Sequence, residues 1–265
     1  MPYSTLKLDR DDAIVTITLA RPEKRNALSP QLIEELLAVL AEAESGADRV
    51  VIVTGSGKAF CAGMDLEELR ASAAMSPAQH LEDSRRVASI FRRIHSFPKP
   101  LIAAVNGAAI AGGCALATLS DFTIAVPEAQ FGYTEVRIGF VPAIVSVFLR
   151  RQIGEKAARD LLLSGRLIGA EDAFRLGLVN EIVPSEKLLA RAIEIAKGLL
   201  AVSPEAVRRT KRLLLRYEEG TLDKEIEMAV RANAAIRSTP DFREGIASFL
   251  ERRPPRWGGN GNADD

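Results

Sequence analysis

Between residues 13 and 19 the chain alternates Val15, Ile17 and Leu19 with Thr16 and Thr18, the period-two pattern of a half-buried strand. Residues 21–28 are polar and carry Pro22, which reads as a loop. Ser29 followed by Pro30 has the form of a helix N-cap with proline at the first helical position, and Leu32, Ile33, Leu36, Leu37 and Leu40 then fall on one face. Residues 49–54 contain the unbroken run Val50, Val51, Ile52, Val53, a strand covered on both faces, and Gly55 and Gly57 turn the chain. The pattern recurs. A long helix over 77–96 leads to a strand over 101–105, a glycine-rich turn and a short helix through Ala115 and Leu119. A strand over 122–126, a loop over 132–139 and a helix over 142–152 follow.

Short strands alternating with helices predict an α/β fold with helices packed on the sheet faces. After Pro184 the strand signal fades, Ser185 and Ser203 read as the N-caps of two helices, and two more helices follow to about Arg252. The chain thus divides into a core over 1–184 and a helical region over 185–257. Residues 258–265 are small and polar and read as a disordered tail.

Composition narrows the function. The 265 residues carry 35 basic and 35 acidic side chains, which argues against a broad nucleic-acid or membrane surface. Two cysteines, Cys61 and Cys114, give neither a disulfide framework nor a metal spacing, and two histidines, His80 and His95, leave no histidine-rich metal site. The first ten residues hold no signal-peptide core, so the expectation is a reduced, cytoplasmic protein. The uncharged stretch 100–120 is long enough to span a bilayer, but Pro100, Asn106, Gly107, Gly112 and Gly113 break it into a buried strand, a turn and a helix.

Three glycine-bearing turns are the candidates for chemistry. Lys58-Ala59-Phe60-Cys61-Ala62-Gly63-Met64-Asp65 follows a buried strand, and Asn106-Gly107-Ala108-Ala109-Ile110-Ala111-Gly112-Gly113-Cys114-Ala115 lies between a strand and a helix. Such turns let backbone approach a ligand, and two N–H groups from different turns can converge into an oxyanion hole; the simpler reading is a pair of tight turns and nothing more. The third turn, from Phe131 to Pro142, sets Glu135 among apolar residues, where desolvation would raise its pKa, although a lone loop glutamate is more often a surface residue.

The order of these motifs resembles the crotonase family of enoyl-CoA hydratases and isomerases. The resemblance is carried by Phe60-Cys61-Ala62-Gly63-Met64-Asp65, the lysine-proline strand ending in Asn106-Gly107, Gly112-Gly113, Ala129-Gln130-Phe131-Gly132 with Glu135, the turn from Gly139 to Pro142, and Asp172-Ala173 before Leu176-Gly177-Leu178-Val179. It implies a spiral of strand-strand-helix repeats, a C-terminal helical region that builds trimers or hexamers, and an acyl-CoA thioester substrate with no separate cofactor or metal. By similarity, the N–H groups of Met64 and Gly112 hold the thioester oxygen and Glu135 is the acid/base. Lys24, Arg25 and Ala27 would line the CoA groove, with Ala62, Asp65, Gly113, Ala115, Tyr133, Pro142 and Ala143 at the substrate. For Asp65 a turn-capping role is the simpler reading. The run Arg208, Arg209, Lys211, Arg212 reads as a solvated face.

The chain departs from the family at one telling position. Hydratases of this kind carry two glutamates, and the first falls on Ala115, which holds no water. The proline turn also continues as Ala143-Ile144-Val145 where glycines are usual. The segment 133–142 resembles bacterial members that hydrate methylglutaconyl-CoA in leucine breakdown, which favours hydration of a short or branched 2-enoyl-CoA. A double-bond isomerase needs only one glutamate and is the second reading. An acyl-CoA-binding relative without chemistry would also fit the loss at Ala115. RNA binding through 208–216 is disfavoured by the neutral charge.

Overall fold

The computed structural model describes residues 3–257 apart from 73 and 219, so the tail beginning at 258 lies outside the described residues. Strands β1 (Leu6–Asp11), β2 (Ile14–Leu19), β3 (Val50–Gly55), β5 (Leu101–Val105), β7 (Phe122–Ala125) and β10 (Glu181–Ile182) form one sheet in the order β1-β2-β3-β5-β7-β10. Only the β1–β2 pair is antiparallel. Strands β4 (Ala59–Cys61), β6 (Ala108–Ile110), β8 (Gln130–Gly132) and β9 (Ile168–Gly169) make a second sheet in the order β4-β6-β8-β9.

Each repeat gives one strand to each sheet and then a helix. β3 and β4 precede α2 (Leu66–Ser72) and α3 (Pro77–His95), β5 and β6 precede α4 (Gly112–Thr118), and β7 and β8 precede α5 (Ala143–Ser164). This is the spiral of strand-strand-helix units that the resemblance implied. A helical C-terminal region follows, with α6 (Ala170–Arg175) before it and α7 (Leu188–Leu200), α8 (Pro204–Arg216), α9 (Leu222–Ile236) and α10 (Pro240–Leu250) within it. Among the described residues, no helix is long and apolar enough to cross a membrane.

Local chemistry accounts for most boundaries. α1 (Pro30–Ser45) starts where the Ser29 hydroxyl accepts the Leu32 N–H at 3.2 Å, and it buries Leu32, Ile33, Leu36, Val39, Leu40 and Ala43; Leu37 is only half-buried. α3 opens with a reciprocal Ser76–Gln79 capping box. The reading of Ser185 as a cap is corrected: residues 185–187 form a single 3-10 turn, the Ser185 hydroxyl reaches Glu128, and α7 begins at Leu188. The helix read over 142–152 continues to Ser164, because Gly154 at φ 76° and ψ 163° joins two helical segments across a kink.

The loop before α1 is fastened by Asn26, which is fully buried at φ 55°. Its Oδ1 accepts the Arg21 N–H at 2.9 Å, and its Nδ2 donates to the carbonyls of Ser56 and Ala59, both at 2.9 Å. Asn26→Ala removes these three hydrogen bonds from a buried position, so it should lower unfolding free energy by about 3 kcal/mol in urea titrations.

Candidate active site

The first element of the site is a backbone junction. Leu28, fully buried, donates its N–H to the Gly63 carbonyl at 2.7 Å and accepts the Asp65 N–H at 3.0 Å. In this parallel bridge the groups of residues 63 and 65 face Leu28, which turns the Met64 N–H to the opposite side. Gly63 sits at φ 85°, and a Cβ there would stand 2.8 Å from the Ile110 carbonyl oxygen and 3.5 Å from the Gly112 nitrogen. The two glycine turns are therefore packed on one another.

Ala111 precedes α4 with φ 52° and ψ −123°, a conformation glycine would favour, and its N–H is tied to the Gly132 carbonyl at 2.7 Å. Holding alanine there costs about 1–3 kcal/mol. It orients the next peptide unit, whose Gly112 N–H is the first unpaired donor of α4. Neither the Met64 nor the Gly112 N–H meets a backbone acceptor among the described residues.

Glu135 opens a 3-10 turn over Glu135–Ile138, just after β8. It is 8 % exposed, and its Oε2 is buried with no hydrogen-bond partner. Burial raises its pKa from 4.5 to about 7, against a smaller lowering by its own backbone N–H. The turn is clamped from outside by α10: a Cβ on Gly139 would meet the Asp241 carbonyl oxygen at 2.2 Å, and one on Gly245 would meet that of Ile138 at 2.1 Å.

These groups face one cavity of about 580 Å³. Of the residues singled out in the sequence, Lys24, Arg25, Ala27, Ala62, Met64, Asp65, Gly112, Glu135, Pro142 and Ala143 line it. Gly113, Ala115 and Tyr133 are placed behind the lining. Gly113 packs against the Cys61 backbone, Ala115 is buried one helical turn further into α4, and the Tyr133 hydroxyl lies 3.2 Å from that of Thr118 in the core. Asp65 caps α2 by accepting the Glu67 N–H at 3.1 Å and pairs with Arg21 at 3.0 Å. Lys24 pairs with Glu67 at 2.7 Å at the exposed mouth.

Of the other carboxylates, Glu67 lines the cavity but is paired with Lys24. Asp121 lies outside the cavity lining and accepts from the Lys211 ammonium at 2.5 Å. Lys211 is accordingly mostly buried, whereas its neighbours Arg208 and Arg209 pair with Glu205 on their own helix. Glu135 is the carboxylate of the described lining that carries an unpartnered buried oxygen. Sequence reading named Val145 but missed the rest of the apolar wall, made by Leu69, Val87, Phe91 and Phe249, and the one amide of the described lining, Asn233. Val87 and Phe91 were detectable as one stripe of an amphipathic helix, but nothing local says that the stripe faces a cavity. Among the described residues, no three His, Cys, Asp or Glu side chains gather to hold a metal ion.

With this geometry in hand, comparison with known proteins identifies the class. A family model described as enoyl-CoA hydratase/isomerase matches residues 9–260. The chain belongs to the enoyl-CoA hydratase/isomerase family of enzymes. It is 45 % identical to a Thermus thermophilus protein provisionally named an enoyl-CoA hydratase, over 92 % of this chain and 97 % of the relative. It is 35 % identical to the 2,3-dehydroadipyl-CoA hydratase of Escherichia coli, over 97 % of this chain and 99 % of that one. The crystal structure of an enoyl-CoA hydratase/isomerase from Xanthobacter autotrophicus Py2 superposes with a TM-score of 0.88 at 32 % identity, covering 95 % of this chain and 98 % of that one.

The raised pKa of Glu135 has a consequence for stability. From the ordinary 4.5 to about 7, the unfolded chain is ionised while the folded one keeps its proton, so stability falls as pH rises through that window. Glu135→Gln removes this penalty. The variant should gain about 3 kcal/mol over the parent at pH 8 and nothing at pH 4, read from urea midpoints at the two pH values.

Proposed function

We propose that this chain is an enoyl-CoA hydratase that adds water across the double bond of a short or branched 2-enoyl-CoA. The observation that carries the reading is the meeting, on one cavity, of two unpaired backbone donors from separate turns with an unpartnered buried carboxylate. In the proposed reaction the N–H groups of Met64 and Gly112 hold the thioester oxygen. Ionised Glu135 takes a proton from water as its oxygen bonds to the β carbon and the π electrons move to the thioester oxygen. The enolate then takes the proton back from Glu135 at the α carbon. Donors aimed at the developing enolate charge contribute about 3 kcal/mol each, and a pKa near 7 suits a group that must both accept and return a proton. The reaction moves only water and a proton, so coenzyme A enters as part of the substrate and no further cofactor is needed. The names of the Escherichia coli relative and of a Syntrophomonas wolfei crotonyl-CoA hydratase, 35 % identical, support hydration.

Isomerisation is the second reading, and Ala115 favours it, because moving a double bond asks for one carboxylate only. Purified protein assayed in parallel with a 2-enoyl-CoA and a 3-enoyl-CoA separates them. Loss of conjugated thioester absorbance with the mass of one water gained is the expected result; conjugation appearing from the 3-enoyl ester without added mass would make the protein an isomerase. Glu135→Gln should reduce turnover about a thousandfold while the Kd for a saturated acyl-CoA stays within about threefold.

The region 185–257 is proposed to assemble the protein into a homotrimer or hexamer in the cytoplasm. Apart from Lys211, α8 is largely uncovered by the chain, and Leu213, Leu214 and, just past its end, Tyr217 are 49, 60 and 74 % exposed, an apolar face larger than a lone helix normally shows to water. Leu213→Glu together with Leu214→Glu should convert the assembly to monomers in sedimentation velocity. An unchanged sedimentation coefficient would remove α8 from the interface.

A further inference from the structure

The far end of the cavity holds a polar device that neither the hydration reading nor the comparisons use. Asn233, on α9, lines the cavity and is 6 % exposed. Its Oδ1 accepts the hydroxyl of Ser84, itself fully buried on α3, at 2.9 Å, and faces the Arg237 guanidinium at 3.5 Å. Arg237 is 2 % exposed and is held by Asp83 at 2.6 Å. A guanidinium only donates, so it fixes which way the amide points: oxygen toward Ser84 and Arg237, nitrogen away from them. The Nδ2 group meets no protein acceptor among the described residues, yet it is not sealed in the packed interior. It therefore presents its N–H groups to the cavity.

The position of this amide follows from α3. Ser84, Val87 and Phe91 share one helical face, and the Phe91 ring packs against Gly112, where a Cβ would stand 3.2 Å from its Cζ. Ser84 lies seven residues before Phe91, about 10 Å along the helix axis. A thioester held at Gly112 thus sends its acyl chain past Phe91 and Val87 toward Asn233. The wall along that path is apolar, and an amide with both N–H groups unpaired interrupts it.

We propose that Asn233 is a specificity residue that donates hydrogen bonds to an oxygen acceptor, carbonyl or carboxylate, near the distal end of the acyl chain. This deepens the proposed reaction, since it rests on an acyl-CoA occupying the cavity, but it does not depend on whether the enzyme hydrates or isomerises. A site built to hydrogen-bond a substrate group discriminates against the analogue that lacks it, because its own donors stay unpaired.

Binding without turnover tests the assignment separately from the reaction. Isothermal titration of the intact protein would compare hexanoyl- and octanoyl-CoA with the esters of the same lengths that carry a ketone one carbon from the end or a terminal carboxylate. The parent should bind at least one oxygen-bearing class about tenfold more tightly than the plain chain, and the two classes tell a neutral acceptor from an anionic one. Asn233→Asp retains the oxygen for Ser84 and Arg237 but removes the donors. It should abolish that preference while leaving plain-chain affinity within about twofold. Asn233→Leu should lose the preference as well. No preference in the parent, or equal weakening of all esters in Asn233→Asp, would overturn the role of Asn233. Failure of every acyl-CoA to bind would instead overturn the reading of the cavity itself, and this proposal with it.

Discussion

The backbone of one residue, Leu28, sets the geometry of the proposed chemistry. Its N–H and carbonyl seize residues 63 and 65, and the alternation of a parallel bridge leaves Met64 pointing the other way. No side chain is involved in that choice. The loop that delivers Leu28 is in turn held by Asn26, and the neighbouring turn is pressed onto Gly63 by the packing of Ile110 and Ala111. A pair of free donors at fixed separation is thus the product of ordinary backbone pairing carried out by neighbours.

The carboxylate facing those donors is a cost accepted by the fold. A buried Oε2 without a partner is unfavourable in either protonation state, and burial shifts the balance toward the neutral acid near pH 7. A structure selected for stability alone would pair or remove such a group. Its presence beside the apolar side chains of the cavity is the observation on which the proposed proton transfer rests.

The sequence was legible where one periodicity or one cap decides the outcome. The four-residue aliphatic run of β3, the Ser29 and Ser203 caps and the glycine turns all behave locally, and the order of the turns pointed to the fold. β1 was illegible because only Leu6 is buried among charged neighbours, as suits an edge strand. Ser185 misled because its hydroxyl is drawn off to Glu128, a partner 57 positions away. Tyr133 and Ala115 sit near the cavity-lining Glu135 and Gly112 in sequence and behind them in space, since a helix or a tight turn redirects side chains within a few residues. The apolar wall comes from α2, α3, α5 and α10 together, and no window of the sequence contains it.

α10 touches the site twice. Its N-terminal half grips the turn of Glu135 through close backbone approaches at Gly139 and Gly245, and its last residues, Phe249 and Leu250, complete the cavity wall. Burial and alignment of the carboxylate therefore share one support. A substitution that displaced this helix would expose Glu135 and loosen its turn together, so the acidity of this one carboxyl would report how well α10 is seated.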